Sequence, residues 1–279
     1  MYSNLACSRM PPMTALNRLP HVLWERVRPF PSPDYRPDTP KIGGTGPLDP
    51  HLPPTAGTLG AAAMSSEASV FVQETLAKLT QNDDAKRGQY WHAMGRAKYG
   101  EHWRFADQLT TLWAASTLLQ PSAYLEIGVC RARSAAIVAS VRPQCDIYGF
   151  DLWVPDYAGG PNPGPEFVRE ELSNVGHQGT LVLESGDSRE TLPAFLDSHP
   201  HLFFDVITVD GVKSVPGVAS DYANALPRLK IGGIVVTDDL MLFPILRRIW
   251  ERVIERDDRF VNWEFRDAGF GVAAAVRVA

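Results

Sequence analysis

Cysteine is scarce. The 279 residues hold three, Cys7, Cys130 and Cys145, and no CxxC pair. That excludes a disulfide framework and reads as free thiols in a reducing cytoplasm. Long apolar runs are missing too: none approaches the ~18 residues of a membrane span. The N-terminus lacks the basic-then-apolar layout of a secretory signal. Positive charge is not in excess, since 27 Lys and Arg against 32 Asp and Glu leave a net charge of −5. This argues against a general nucleic-acid binder. What is left is an ordinary globular composition, 44% apolar and 21% charged. The length suits one large domain plus an appendage. The expectation is a cytoplasmic protein with no nucleic acid and no membrane.

Proline is plentiful but unevenly spread. About half of the 23 prolines fall in residues 1–60, in runs such as Arg28-Pro-Phe-Pro-Ser-Pro33 and His51-Leu-Pro-Pro54. Such a segment builds neither a helix nor a central strand. It reads as an extended or disordered arm, either wrapping a partner subunit in a homodimer or lying upstream of a native start at Met64. Residues 61–120 read as a helical cap and 121–279 as the main domain. Within the cap, Ser65-Ser66-Glu67 begins a helix carrying Val70, Phe71, Val72, Leu76 and Leu79 on one side. An aromatic and basic patch follows, with Tyr90, Trp91, His92, Trp103 and their neighbours. It is either a packed amphipathic helix pair or a cover over a ligand cleft. Phe105 to Leu119 makes a further helix.

The chain is organised around Ser122-Ala-Tyr-Leu-Glu-Ile-Gly-Val-Cys-Arg-Ala-Arg-Ser134. Tyr124, Leu125 and Ile127 form a short apolar run of parallel-strand type. Gly128 permits a tight turn, and a helix starts at Ser134. Glu126 is a carboxylate at the end of a buried strand, where ligands of an open parallel sheet bind. It can accept hydrogen bonds from ribose hydroxyls beside a helix N-terminus that favours an anion. The second strand, residues 145–151, ends in Asp151, at the spacing where nucleotide folds carry a ribose-binding acid. A long turn-rich loop, residues 152–164, leads to a helix from Pro165 to Asn174. The third strand, 180–184, precedes Asp187 and Ser188, which serve equally well as cleft-edge groups or as a helix N-cap.

A fourth strand, 203–209, ends in Asp210-Gly-Val-Lys213. A fifth follows the turn Gly232-Gly233 and ends in Asp238-Asp239. If these strands are neighbours, three carboxylates and one lysine converge on one rim. Three like charges crowd unless a cation sits between them, and hard oxygen ligands suit Mg²⁺ or Ca²⁺. The competing reading makes Asp239 an N-cap and leaves Asp238 solvated. A helix from Leu242 to Arg256 and two antiparallel strands, 259–265 and 271–278, close the chain.

In this order, Glu126-Ile-Gly128, Asp151, Gly186-Asp-Ser188, Asp210-Gly211, Gly232-Gly233 and Asp238-Asp239 resemble a class I S-adenosylmethionine-dependent methyltransferase. The resemblance covers about residues 85–279. It implies a Rossmann-like, doubly wound α/β sheet of seven strands, mostly parallel, with an antiparallel C-terminal hairpin and helices on both faces. It also implies S-adenosylmethionine as cofactor, with Glu126, Gly128, Ser134, Asp151, Leu152, Asp187, Ser188 and Asp210 around it. Asp210-x-x-Lys213 followed by Asp238-Asp239 is similar to the catechol and caffeoyl-coenzyme A O-methyltransferases. That likeness implies a divalent cation, Mg²⁺ first, on Asp210, Asp238 and Asp239. It makes Lys213 the base, with its pKa lowered by the cation, and a hydroxylated small molecule the acceptor. Two positions depart from the pattern: Ala132 where a glycine is usual, and Asp239 where an Asn is usual. The alternatives are a metal-independent methyltransferase of a natural-product pathway and a non-catalytic nucleoside-binding subunit.

Overall fold

A computed structural model describes residues 55–155 and 162–279. The proposed arm therefore lies outside the described residues up to Pro54, as do residues 156–161 of the loop after Asp151. Four helices come first: α1 (Ala56–Ala63), α2 (Ser66–Lys78), α3 (Asp83–Tyr99) and α4 (Gln108–Leu119). The sheet domain then runs β1 (Ala123–Ile127), α5 (Arg133–Val141), β2 (Asp146–Asp151), α6 (Pro165–Asn174), β3 (Leu181–Ser185) and α7 (Ser188–Ser198). It continues with β4 (Phe204–Val209), α8 (Val215–Ala225), β5 (Leu229–Thr237), α9 (Pro244–Trp250), β6 (Phe260–Phe265) and β7 (Val272–Arg277).

The seven strands lie in the order β3-β2-β1-β4-β5-β7-β6. β1 to β5 are parallel, and β7 runs antiparallel to both β5 and β6. β1 is buried at all five positions, as a central strand covered on both faces must be. Its side chains alternate. Tyr124 joins Val206, Ile234 and Val236 under α1, α2, α4, α5 and α6. Leu125 and Ile127 join Ile207, Val209 and Val235 under α7, α8 and α9. This two-sided cover is the doubly wound arrangement expected. The strand order reverses between β1 and β4, and the ligand crevice of such sheets opens there.

Three expected boundaries move. First, a helix begins inside the segment read as arm. The Thr55 hydroxyl caps α1 by accepting from the Thr58 N–H at 3.1 Å, and Leu59 and Ala63 are fully buried. A Cβ on Gly60 would run into the Trp263 indole of β6. The helix has only small residues around Leu59, so packing stabilises it rather than propensity, and the Pro-rich flank hides it from a composition reading. Second, Gly232-Gly233 is not a turn before β5 but an irregularity inside it. Phe204 pairs with Leu229 and Val206 with Ile234, so β5 carries extra residues there. Gly232 has φ 83° at this point, which a Cβ would disfavour. Third, the last long helix is α9, starting at Pro244 and passing after the buried Trp250 into a π-helical turn, Glu251–Glu255.

Candidate active site

The turn after β1 is tight because two strands meet over it. The Gly128 N–H donates to the Phe150 carbonyl at 2.8 Å, and the Asp210 N–H donates to the Ile127 carbonyl at 2.9 Å. Gly128 has φ 93°, and a Cβ there would strike the Asp210 carbonyl. Glycine is thus required by both conformation and space. Ala132, in the usual glycine position, takes a left-handed φ of 61° at the N-cap of α5 and is fully buried. The turn therefore forms with alanine in that place.

Glu126 is fully buried on the face under α5, where the Ser134 hydroxyl donates to one of its oxygens. The other oxygen has no hydrogen-bond partner among the described residues, so it is free to meet a ligand hydroxyl. Burial, then the charges of Asp210 and Asp151, push its pKa up to about 8. Glu126 is therefore protonated at neutral pH in the folded state. With its folded pKa raised above an ordinary ~4.3, the stability it lends is fully present below about pH 4 and is lost as pH rises towards 8. A Glu126→Gln chain is expected to lack this loss. Between pH 5 and 8, the unfolding free energy of the wild type should fall relative to that of the variant by on the order of a few kcal/mol. Parallel curves would contradict it.

Asp151, at the end of β2, is oriented by backbone donors. It accepts from the Cys130 N–H at 2.8 Å and the Trp153 N–H at 2.6 Å. Leu152 beside it is exposed. At the end of β3, Asp187 accepts from the Arg189 N–H at 3.0 Å and from its guanidinium. That hydrogen bonding holds the Asp187 carboxyl below the usual range, and the group acts as the α7 cap. The Ser188 hydroxyl donates to Asp221 at 2.6 Å. Asp221, fully buried on α8, is pushed up to about 6, chiefly by burial. The sequence reading missed it, although a single Asp among Val218, Ala219 and Tyr222 was a visible signal.

β4 and β5 are neighbours, which meets the condition the sequence left open, so their ends share one rim. Lys213 lies between two of the carboxylates, paired with Asp210 and, at 2.9 Å, with Asp239. Burial would lower the Lys213 pKa, but the charges of Asp210 and Asp239 outweigh it and raise it. The lowered lysine pKa expected from the sequence is tied to a cation beside the amine; with only the two carboxylates around it, Lys213 keeps its proton. Burial first, then Asp210 and Asp239, pushes Asp238 well above the carboxylate range. Asp239 is also raised by burial, against the pull of Lys213. It does not cap a helix, because α9 starts after Phe243. Its φ is 66°, a left-handed conformation that Asn and Asp tolerate best, which accounts for either residue standing there. Gln108, at the start of α4, was not foreseen. Its amide donates to Asp210 at 3.1 Å from 102 residues away in the chain.

The donor set of Asp210, Asp238 and Asp239 suits a hard divalent cation by its chemistry. One lysine faces three acids, and Asp238 bears the excess. Among the described residues, no three His, Cys, Asp or Glu side chains are arranged as a metal shell, and the Lys213 amine stands between two of the candidates. Among the described residues, no helix is long and apolar enough to cross a membrane.

The strand order, the glycine turn after β1 and the acids at the ends of β1, β2, β4 and β5 define a Rossmann-like, doubly wound fold. Residues 125–240 match the family model described as a methyltransferase domain. No curated protein matches the chain. Two solved proteins share the fold. The O-methyltransferase TomG from Streptomyces achromogenes, involved in tomaymycin synthesis and solved with S-adenosylmethionine, is 18% identical with a TM-score of 0.52, over 72% of this chain and 92% of its own. An O-methyltransferase from Bacillus cereus, in complex with S-adenosylhomocysteine, is 15% identical with a TM-score of 0.50, over 74% of this chain and 97% of its own.

Proposed function

We propose that the chain transfers a methyl group from S-adenosylmethionine to a hydroxyl of a small acceptor. The observation that carries this reading is the Asp210–Lys213–Asp239 cluster on the adjoining ends of β4 and β5, against the Gly128 turn. In both solved proteins named above, the fold serves O-methyl transfer. On this reading Glu126, Gly128, Ser134, Asp151, Leu152, Asp187, Ser188 and Asp210 surround the methyl donor. Asp151, fixed by two backbone donors, accepts from ribose hydroxyls. Binding of the methyl donor would draw Glu126 into its carboxylate form, in which the free oxygen accepts from a ligand hydroxyl.

Methyl transfer is an in-line displacement, so most of the catalysis is positioning. S-adenosylmethionine supplies the methyl on a sulfonium centre. The acceptor oxygen forms a bond to that carbon as the carbon–sulfur bond breaks, leaving a neutral thioether. A phenolic hydroxyl, with a pKa near ~10, must lose its proton on the way. Lys213, as an ammonium, draws the oxygen in as an anion. Asp239, a stronger base than an ordinary carboxylate because burial raises its pKa, takes the proton. A divalent cation held by Asp210, Asp238 and Asp239 would lower the acceptor's pKa further. The ion pairs of Lys213 favour a second reading, in which the ammonium does this work without a metal.

Calorimetric titration with S-adenosylmethionine and S-adenosylhomocysteine tests the first claim, and a turnover screen over catechols, phenolic acids and hydroxylated sugars tests the second. Both ligands are expected to bind equally well with and without chelator, while turnover is lost in chelator. Full turnover in chelator would leave the metal-free reading standing. No binding of either ligand would end the proposal.

A further inference from the structure

The site includes a residue from outside the matched domain. Asp210 has both oxygens engaged: Lys213 takes Oδ1, and the Gln108 amide donates to Oδ2 at 3.1 Å. Gln108 is buried and occupies the first position of α4, directly after the helix cap. That cap is itself held from two sides. Asp107 accepts from the Thr110 N–H at 2.8 Å and meets the His92 Nε2 at 3.2 Å. The other His92 nitrogen meets the Ser69 hydroxyl at 3.0 Å. Burial would raise the Asp107 pKa, but the hydrogen bond and charge of His92 outweigh it and hold the group low. A chain of polar contacts thus runs from α2 through α3 to the cap of α4, and ends on the carboxylate of the rim.

We propose that Gln108 is a positioning residue that sets the orientation of Asp210. The inference rests on the methyl-transfer reading of the rim. A carboxylate held only by Lys213 can turn about its own axis, because a single ammonium partner fixes one oxygen. The second donor removes that freedom. The side chain that supplies this donor is the first one after the doubly anchored cap of α4.

The test uses the full chain and Gln108→Met, which keeps the side-chain length and removes the donor. Melting of the variant is expected to stay close to that of the wild type, with S-adenosylhomocysteine binding unchanged. With catechol as the acceptor probe, kcat is expected to fall roughly 10- to 100-fold, the scale of a misplaced catalytic group. KM for the methyl donor should stay put. The decisive comparison is the cycle with Asp210→Asn. A residue that acts through Asp210 adds no further loss once Asp210 is altered, whereas a residue that merely packs would multiply its effect. A multiplicative double variant overturns the proposal. A crystal structure of Gln108→Met gives a readout that needs no turnover. The Asp210 carboxylate is expected to rotate or to occupy two positions, and finding it in the wild-type pose overturns the proposal as well. Failure of the wild type to methylate any acceptor would sink the functional reading, and that crystal structure would still decide the role of Gln108.

Discussion

Lys213→Ala is expected to lower kcat by about 10²- to 10³-fold, the usual loss when one preorganised cationic or hydrogen-bonding group is withdrawn from a developing oxyanion. The reason lies in the charge count of the rim. Lys213 is the cation set between Asp210 and Asp239, and Asp238 already bears a raised pKa because burial, together with its acidic neighbours, outweighs the pull of Lys213. Without the ammonium, an acceptor anion would approach carboxylates alone. The loss should be largest for acceptors of high pKa and at low pH, where few of their molecules ionise unaided. Donor affinity, read by titration with S-adenosylhomocysteine, should change little. Wild-type kcat across a series of phenols of graded pKa would show that Lys213 serves only to hold the strand ends together.

The second large effect concerns stability. Leu59→Ala is expected to cost about 2–5 kcal/mol, the range for emptying a fully buried leucine site, read as a drop in the denaturant midpoint. A chain starting at Thr55 should keep the wild-type midpoint. One starting at Ser65 should lose more than the single substitution, because α1 goes with it. An unchanged midpoint in the Ser65 chain would show that α1 contributes nothing to the core.

The sequence and the structure agree where the signal is local. β1 to β4 were legible because each is a short apolar run closed by a turn residue or a charged residue, and the crevice followed from the acids at their ends. The two antiparallel strands at the end were legible as short runs joined by Asp267-Ala-Gly269. Partnerships were not. Nothing in the spacing of Asp210-x-x-Lys213 tells that the amine would bridge to Asp239, because that depends on the side-by-side packing of β4 and β5 and on the left-handed turn at Asp239. Gln108 was invisible for the same reason, since its partner is 102 residues away. Asp187 was ambiguous between cap and cleft until the adjoining Arg189 claimed its carboxylate. Gly232-Gly233 looked like a strand boundary because a bulge and a turn call for the same residue.

The seat of α1 has a consequence for the timing of synthesis. Gly60 lies against Trp263 of β6, so the helix made first finds its place only after a strand made late. At about 5–20 residues per second, roughly 10 to 40 seconds separate the two on the ribosome. Through that interval Leu59 has no completed pocket, and the nascent chain carries an open apolar ridge that a chaperone can hold and that a neighbouring nascent chain can foul.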